Sequence, residues 1–308
     1  MPLRFLCITV RKDRLMALKE FFKKALYDLE KNSAGTPYVM SRLKTSELIR
    51  DNDRLSLSRF GDGEFGMVIG CGDLGFQPYS QSLHDALTEV LKNGVKTANL
   101  SVCIPGVFRS VDEMKPNAAS FWMNWCLHSK KKLAPYFDPG YEYGDTNVSR
   151  LCLPWKDVSY ERQIIDNIKN AWFGKTVVIA EGRQTRFGVG NDLLGGAKSI
   201  SRILCPEKNA WEKHGEILRE CEKYPSYGSV VFVLALGPTA TVLSYELAKK
   251  GYRALDLGHM DLQYEYMLRN ADKKCIIPGK YNNEVADGDK VADCRDEEYI
   301  NSITAVIG

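Results

Sequence analysis

Hydrophobic and polar positions along the chain follow two periods, one typical of β-strands and one typical of α-helices. Short, nearly continuous apolar runs predict strands at residues 55–60, 100–104, 175–180, 201–205, 229–236 and 253–257. Between them, apolar residues at helical spacing predict helices at 41–49, 83–93, 118–132, 159–173, 210–224 and 239–250. Strands that alternate with helices of this length favour an α/β fold with a doubly wound, Rossmann-like and mostly parallel sheet.

The first 37 residues are predicted to form a helical extension that precedes one domain spanning residues 38–308. Residues 12–31 form an amphipathic pattern with lysines on the polar face, and residues 32–37 have the composition of a turn. The apolar stripe consists of Leu15, Leu18, Phe22, Ala25 and Leu29. We expect this stripe to pack on the protein's own domain. The alternative is docking to a partner or, from the cytoplasm, to the anionic inner face of the membrane.

Composition excludes several classes of protein. With 44% hydrophobic and 26% charged residues, the chain is typical of globular proteins, and its net charge of +3 gives no indication of nucleic-acid binding. Nine cysteines without a C-x-x-C pair predict free thiols in a reducing compartment, most simply the cytoplasm. No apolar run reaches the length of a membrane span, and residues 3–10 are too short and too poorly flanked for a signal peptide. Homo-oligomerisation is left open.

Two carboxylates stand at the end of the first predicted strand of the domain. In an extended chain, Asp62 and Glu64 would point to the same side, and Gly61 and Gly63 would let the backbone bend and an anion approach. Two neighbouring carboxylates favour a cation, and oxygen ligands suit Mg²⁺ or Mn²⁺ bridging to substrate phosphates. The alternative is a solvated Asp-Gly turn in which Glu64 caps the next helix.

Further polar groups follow other predicted strands, where ligands of a doubly wound sheet bind. Gly237, Thr239 and Thr241 begin a helix whose amide groups suit a diphosphate, although Thr239 could simply cap that helix. His259, two residues before Asp261, could be a metal ligand, a phosphate contact, a base or a structural residue.

The strand at 175–180 is also followed by charged residues. Glu181 could deprotonate an acceptor hydroxyl, but an ion-paired core carboxylate would give the same sequence. Arg183 and Arg186 could neutralise phosphate, and Asn191, beside Asp192, could bond uracil or ribose. The alternative for this group is a surface loop held by salt bridges.

Three stretches together resemble the bacterial GT-D glycosyltransferases. Residues 59–64, with the sequence RFGDGE, are similar to the D-x-E signature of that family, and residues 181–193 and 236–261 resemble two later stretches. The similarity runs in the same order from about residue 38 to about residue 270. It implies a Rossmann-like, UDP-sugar-dependent enzyme with a divalent metal at Asp62 and Glu64, acting in bacterial surface polysaccharide or glycoprotein glycan synthesis.

The sequence therefore predicts a metal-dependent transfer of a hexose, glucose or galactose, from a UDP-sugar to a glycan, lipid-linked or glycoprotein acceptor. The predicted catalytic residues are Asp62, Glu64, Glu181 and His259, and Asp62, Glu64 and His259 are the predicted ligands of Mn²⁺ or Mg²⁺. The predicted donor-binding residues are Arg59, Gly61, Arg183, Arg186, Asn191, Asp192, Gly237, Thr239 and Thr241.

Two other parts of the chain and two other functions complete the expectations. Residues 135–157, rich in proline and aromatic residues, are a candidate wall for the acceptor sugar. The polar tail from Lys280 onward is predicted to cap the fold or to pack on a neighbour, without chemistry. The alternative functions are a metal-dependent phosphohydrolase or nucleotidyl transferase, and a nucleotide-binding module without turnover.

Overall fold

One parallel sheet organises the chain in the computed structural model, which describes residues 3–226 and 228–308, with side chains from residue 17 onward. The strands are β1 (Tyr38–Val39), β2 (Ser56–Arg59), β3 (Leu100–Ile104), β4 (Glu142–Asp145), β5 (Thr176–Gly182), β6 (Ser199–Cys205), β7 (Val230–Ala235), β8 (Ala254–Asp256) and β9 (Ile303–Val306). Their order in the sheet is β1-β4-β3-β2-β8-β7-β5-β6-β9, and neighbouring strands pair in parallel. The predicted α/β fold class is confirmed.

Helices cover both faces of the sheet. They are α1 (Leu3–Lys31), α2 (Arg42–Asp51), α3 (Asp62–Val68), α4 (Gln81–Asn93), α5 (Pro116–Leu133), α6 (Glu161–Asn170), α7 (His214–Cys221), α8 (Pro238–Lys249), α9 (Met260–Leu268) and α10 (Glu297–Ser302). Along β5, Val177 and Ile179 pack in the core that includes α6, whereas Val178 and Ala180 pack in the core that includes α7 and α8. Burial on both faces explains why β5 is a continuous apolar run.

The prediction from the sequence missed several short or partly exposed helices and strands. The helices α3, α9 and α10 and the strands β1, β4 and β9 were not predicted. The edge strand β1 has two residues, one exposed and one buried, and the edge strand β9 has four, alternately half-buried and exposed. Their apolar signal is therefore weak. The expectation that Asp62 and Glu64 continue an extended strand is wrong, because α3 begins at Asp62.

The order of strands reverses between β2 and β8. From β2 the chain proceeds to β3 and then β4 on one side, whereas β8 is reached from β7 on the other side. Leu57 of β2 pairs with Leu255 of β8 in the middle of the sheet. In open α/β sheets, ligands bind in the crevice outside the carboxyl ends of strands at such a reversal. The fold therefore places a candidate site at the ends of β2 and β8.

The N-terminal helix packs on α5 through a different face from the predicted one. Tyr27 is fully buried, and its hydroxyl donates to the Val107 carbonyl. The predicted stripe is exposed at Leu18, Phe22, Ala25 and Leu29, and the side chain of Leu15 lies outside the described ones. The expectation that this stripe packs on the protein's own domain is therefore wrong. The domain boundary at residue 37 stays a prediction.

Two expectations from composition can be compared with the described part of the chain. The eight cysteines with described side chains are free thiols, as predicted, and Cys7 lies outside them. Among the described residues, no helix combines the length and the apolar character needed to cross a membrane.

Candidate active site

A cavity of about 1060 Å³ opens at the carboxyl ends of the central strands. Residues that follow β2, β7 and β8 meet on its wall: Arg59, Gly61, Asp62, Gly63, Glu64, Leu236, Gly237, Asp256, Gly258, His259 and Asp261. Gly182 and Thr185, at the end of β5 and in the loop after it, line the cavity as well, so the structure shows the predicted convergence for all four strand-end loops.

Arg59 and Asp256 join the ends of β2 and β8. Arg59 Nη2 lies 2.9 Å from Asp256 Oδ1, and Arg59 Nε donates to the Asp256 carbonyl at 2.6 Å. The hydroxyl of Thr241 donates to the Arg59 carbonyl at 2.8 Å, so α8 is tied to the same point. A Cβ atom at Gly258, where φ is +49°, would overlap the Arg59 guanidinium. Arg59 is therefore a positioning residue on the cavity wall, and only a residue without a side chain fits beside it.

Asp62 and Glu64 line the cavity from the first turn of α3. Glu64 Oε2 accepts a hydrogen bond of 2.8 Å from the Gly61 amide, so this side chain caps its own helix, as the alternative prediction proposed. Burial, together with the nearby charges of Asp256 and Asp62, raises the pKa of Glu64 to about 7. The site therefore holds negative charge that the protein does not fully balance.

These two carboxylates fit a divalent cation. Their oxygen atoms are hard ligands, and a cation beside them would favour the ionised form of Glu64, which burial and, to a lesser extent, the charges of Asp256 and Asp62 disfavour. Among the described residues, no three His, Cys, Asp or Glu side chains are arranged so that they could hold a metal ion together. His259 is thus not brought to Asp62 and Glu64 as a third ligand. Mg²⁺ and Mn²⁺ sites commonly take their remaining ligands from substrate and water.

His259 instead belongs to a charged cluster that includes the C-terminal segment. Its Nδ1 lies 3.6 Å from Glu284 Oε1, and Glu284 also pairs with Arg150 at 2.9 Å and with Lys274 at 3.2 Å. Burial opposes ionisation of Glu284, but the hydrogen bond to His259 and the charges of Arg150, His259 and Lys274 hold its pKa well below the usual range. Burial lowers the pKa of His259.

The tail from Lys280 onward, predicted to carry no chemistry, reaches the cavity wall, and the absence of a chemical role there stays a prediction. Glu284 lines the cavity, and Lys280 is buried with its Nζ 2.5 Å from Asp261 Oδ2. Sequence reasoning missed these residues because they lie outside any apolar pattern and follow no strand. An isolated lysine among polar residues gives no signal that it will be buried.

Glu181 does not reach the cavity. It is fully buried, its Oε1 lies 2.5 Å from Arg202 Nη1, and its Oε2 accepts a 2.7 Å hydrogen bond from the Phe187 amide. Burial raises the pKa of Glu181, and the charge of Arg202 opposes that change. The structure supports the second of the two sequence interpretations, an ion-paired core carboxylate, and contradicts the role of a base that touches the acceptor.

The other charged residues of the same loop are also structural. Arg183 and Arg186 donate to backbone carbonyl groups of the C-terminal segment at 3.2 and 2.8 Å. Asn191 donates to Asp261 at 2.8 Å, and Asp192 accepts a bond of 2.5 Å from a tyrosine of α9. None of these four side chains is part of the cavity wall described above. Their predicted contacts with the donor are not supported by this arrangement.

The turn before α8 does line the cavity, but its threonines do not. Gly237 has φ of +55°, and a Cβ atom there would collide with the ring of Phe76. Thr239 and Thr241 are fully buried, and Thr241 is committed to the Arg59 carbonyl. Of this predicted group, Gly237 lies on the cavity wall and remains a candidate for phosphate binding.

An aromatic wall faces the strand ends across the cavity. Phe121 and Trp122 of α5 line it together with Lys115, Asn117, Leu153 and Pro154. The backbone holds these segments together, because the Lys115 amide donates to the Pro154 carbonyl at 2.8 Å. Part of the stretch 135–157, predicted as a wall for a sugar, therefore lies at the cavity. The contribution of α5 was missed because its aromatic residues gave the same pattern as a buried helix.

Residues 57–285 match the family model of the glycosyltransferase GT-D fold. The chain belongs to the GT-D glycosyltransferase family. The match contains every strand-end loop of the cavity rim and ends just after Glu284. The elements α1, β1 and α2 before it, and α10 and β9 after it, lie outside the matched region.

Relatives and solved structures agree with this GT-D membership. Glycosyltransferase GlyD of Streptococcus pneumoniae serotype 4 is 34% identical over 252 residues, which are 82% of this chain and 30% of the relative. The probable glycosyl transferase Gly of Streptococcus gordonii is 34% identical over 249 residues, 80% of this chain and 35% of the relative. The chain thus spans about a third of the length of these curated relatives.

Two structures of domain of unknown function 1792 are similar over their whole length. One, described as having a distinct glycosyltransferase fold, has a TM-score of 0.83 and 33% identity over 93% of this chain. The other, a new glycosyltransferase from Streptococcus sanguinis, has a TM-score of 0.80 and 32% identity over 88% of this chain. The match covers 100% of each of these two chains.

Because Glu181 and Arg202 form a buried ion pair away from the cavity, we expect that neutralising Glu181 lowers stability without reducing activity. Glu181→Gln leaves the Arg202 charge without its counter-charge, so we expect the free energy of unfolding to fall by about 3 kcal/mol. Turnover per folded molecule should stay within a few-fold of the wild type. Urea unfolding and donor turnover measure the two effects.

A second variant, Glu181→Met with Arg202→Met, should recover stability because it removes both charges. A stable Glu181→Gln protein that loses more than about 100-fold in turnover would restore the role of general base.

The raised pKa of Glu64 predicts a pH-dependent gain of stability in Glu64→Gln. In the metal-free protein, the folded state holds the Glu64 proton more tightly than the unfolded state, in which the pKa is near 4.5. This stabilisation is complete below pH 4.5 and is lost as the pH rises through about 7. Glutamine stays neutral, so the variant should unfold several degrees above the wild type at pH 8 and close to it at pH 5. Thermal unfolding in EDTA measures this difference, with the exposed Glu212→Gln as control. A difference in Tm between the variant and the wild type that is the same at pH 5 and at pH 8 would contradict the raised pKa of Glu64.

Proposed function

We propose that the protein transfers a hexose, glucose or galactose, from a UDP-sugar to a hydroxyl group of a glycan acceptor, with Mn²⁺ or Mg²⁺ held by Asp62 and Glu64. One observation carries the proposal. Two carboxylates, Asp62 and Glu64, and the Gly237 turn that precedes α8 line the same cavity, at the reversal of strand order between β2 and β8. A nucleotide diphosphate needs both a cation and backbone amides, and few other ligands need them together.

The carboxylates and their support have separate roles in this proposal. Asp62 and Glu64 would hold the cation. When bound, the cation supplies positive charge that stabilises the leaving diphosphate. The pair of Arg59 and Asp256 keeps the ends of β2 and β8 in register beneath them. Gly237 lets the half-buried ring of Phe76 lie against the turn before α8, and this ring, which lines the cavity, offers a face on which a base can stack.

The aromatic wall of α5 supports a saccharide acceptor. Phe121 keeps 50% of its surface exposed and lies beside Trp122, with the two ring centroids 5.2 Å apart. Aromatic rings offer an apolar face to the C–H groups of a sugar, and Lys115 and Asn117 lie next to them as hydrogen-bond donors. A lipid-linked glycan and a glycoprotein glycan would present the same sugar ring to this wall.

A donor hydrolysis assay distinguishes the proposed function from its alternatives. We expect release of UDP from UDP-glucose or UDP-galactose with Mn²⁺ and a loss of at least about 100-fold in EDTA. Asp62→Asn should lose activity to the same extent and keep the wild-type Tm, whereas the exposed Asp166→Asn should change neither. Release of phosphate or pyrophosphate would favour a phosphohydrolase or nucleotidyl transferase. Binding without any release would favour a nucleotide-binding module, and full activity in EDTA would refute the metal site.

The aromatic wall predicts a defect confined to the acceptor. Phe121→Ala removes an exposed ring and should raise the acceptor KM by about 10-fold, since one stacking contact is lost, while UDP release by hydrolysis stays unchanged. Initial rates at varied acceptor concentration measure the effect. The matched control is Phe173→Ala, because Phe173 is 71% exposed and lies outside the cavity wall. An unchanged acceptor KM in Phe121→Ala would place the acceptor elsewhere.

A further inference from the structure

Two buried glutamine side chains at the cavity wall differ in their hydrogen bonds. Gln77 and Gln263 both line the cavity, and each keeps 1% of its surface exposed. The amide of Gln77 is paired on both sides. Its Nε2 donates to Asn209 Oδ1 at 2.8 Å, and its Oε1 accepts from the Trp211 amide at 3.3 Å. Gln77 therefore ties the loop before α4 to the segment before α7.

The amide of Gln263 has no comparable partner. Its Oε1 is buried without a hydrogen bond, and no residue in the described part of the chain bonds its Nε2. The backbone of Gln263 is engaged, because its N–H donates to the His259 carbonyl at 3.1 Å and its carbonyl oxygen lies 3.9 Å from Cys152 Sγ. The side-chain amide is thus the part of Gln263 with unused hydrogen-bonding capacity at the cavity.

The unpaired amide calls for a ligand of matching chemistry. A buried amide without partners is unfavourable, since it has given up its bonds to water and gained none from the protein. Methionine, an unbranched side chain of similar length, would fill the same space on α9 without this cost. An amide offers two N–H donors and one carbonyl acceptor, and a hydroxyl group can both accept from it and donate to it. A sugar hydroxyl therefore fits this position.

Gln263 lies on the side of the cavity that holds the aromatic wall. Its contact with Cys152 places it next to Leu153 and Pro154, which line the cavity together with α5. The Lys115 amide donates to the Pro154 carbonyl at 2.8 Å, so this loop and the start of α5 form one surface. Hydroxyl groups project from the edge of a sugar ring that stacks on an aromatic side chain, and polar groups beside the stacking surface bond them.

We propose that Gln263 bonds one hydroxyl group of the acceptor sugar and thereby selects acceptors that carry it. The inference rests on the proposed function and adds to it the residue that distinguishes one acceptor from another. A site built to bond a hydroxyl group strongly rejects the analogue that lacks it, because the buried amide then stays unpaired. The aromatic wall supplies contact area for many sugars, whereas Gln263 supplies the choice among them.

The test compares transfer to sugars that differ by one hydroxyl group. The probes are p-nitrophenyl glycosides of the common hexoses and N-acetylhexosamines and, for the best acceptor among them, its monodeoxy forms. With UDP-glucose or UDP-galactose and Mn²⁺, loss of one particular hydroxyl should lower the acceptor kcat/KM of the wild type at least about 100-fold. Gln263→Met should lower kcat/KM for the parent glycoside about 10- to 100-fold and should use the parent and that deoxy form equally well.

Thermal unfolding separates this role from a structural one. Gln263→Met removes a polar group that has no partner in the folded protein, so its Tm should equal or exceed that of the wild type. Gln77→Met is the matched comparison, because it leaves the Trp211 amide unpaired and should lower the Tm by several degrees. Gln163→Met, at an exposed position of α6 outside the cavity wall, should change neither the Tm nor the transfer rate.

Release of UDP by the wild type separates a failure of this inference from a failure of the proposed function. A wild type that releases no UDP from either sugar nucleotide removes the proposed function, and this inference with it. Where UDP is released, transfer to none of the glycosides, or full discrimination retained in Gln263→Met, would overturn the inference alone. A rise of the donor KM as large as that of the acceptor KM would place the amide on the transferred hexose and contradict the assignment. A fall in the Tm of Gln263→Met would assign this residue a structural role instead.

Discussion

The ion pair between Arg59 and Asp256 joins the two strands at whose ends the cavity lies. β2 and β8 pair at one register position, Leu57 with Leu255, so backbone bonds alone hold their ends weakly. Arg59 compensates by bonding both the carboxylate and the carbonyl of Asp256, and Thr241 ties α8 to the same strand end. The positions of Gly61, Gly237 and Gly258 around the cavity depend on this connection.

Because Arg59 is paired with Asp256, its positive charge is not available to the carboxylates at the cavity. Arg59 is engaged by Asp256, so it offers little compensation to Glu64, whose pKa remains raised to about 7. The positive charges on the other side, Arg150 and Lys274, are engaged by Glu284. Arg59, Arg150 and Lys274 are thus paired with carboxylates other than Asp62 and Glu64, and in the proposed function those two are left for an external cation. Catalytic sites commonly hold such unbalanced groups at a cost in stability.

Sequence reasoning predicted the sheet well because its central strands are buried on both faces. The runs at β3 and β5 are continuous, and burial of this kind leaves a clear apolar signal. It failed at Asp62, where Gly61 caps a helix in a stretch whose spacing also suited a strand. It failed again at Glu181, because a buried ion pair and a catalytic carboxylate have the same sequence, and only the placement of Arg202 decides between them.

The orientation of α1 shows a different limit. Its apolar period predicted the helix and the stripe, and both are present, but periodicity gives no information about which surface covers an apolar face. The polar contacts of Lys130 with residues more than 90 positions away decide that α1 turns its stripe outward. Contacts of this kind depend on the assembled fold and cannot be inferred from the helix alone.

The central claim is that the cavity binds a nucleotide diphosphate and a divalent cation together. Isothermal titration calorimetry of UDP with and without Mn²⁺ tests it most directly. The account predicts that Mn²⁺ tightens UDP binding by at least about 10-fold, that UDP tightens Mn²⁺ binding by the same factor, and that Asp62→Asn abolishes this coupling. A UDP affinity that is the same in EDTA and in Mn²⁺, and that Asp62→Asn leaves unchanged, would contradict it.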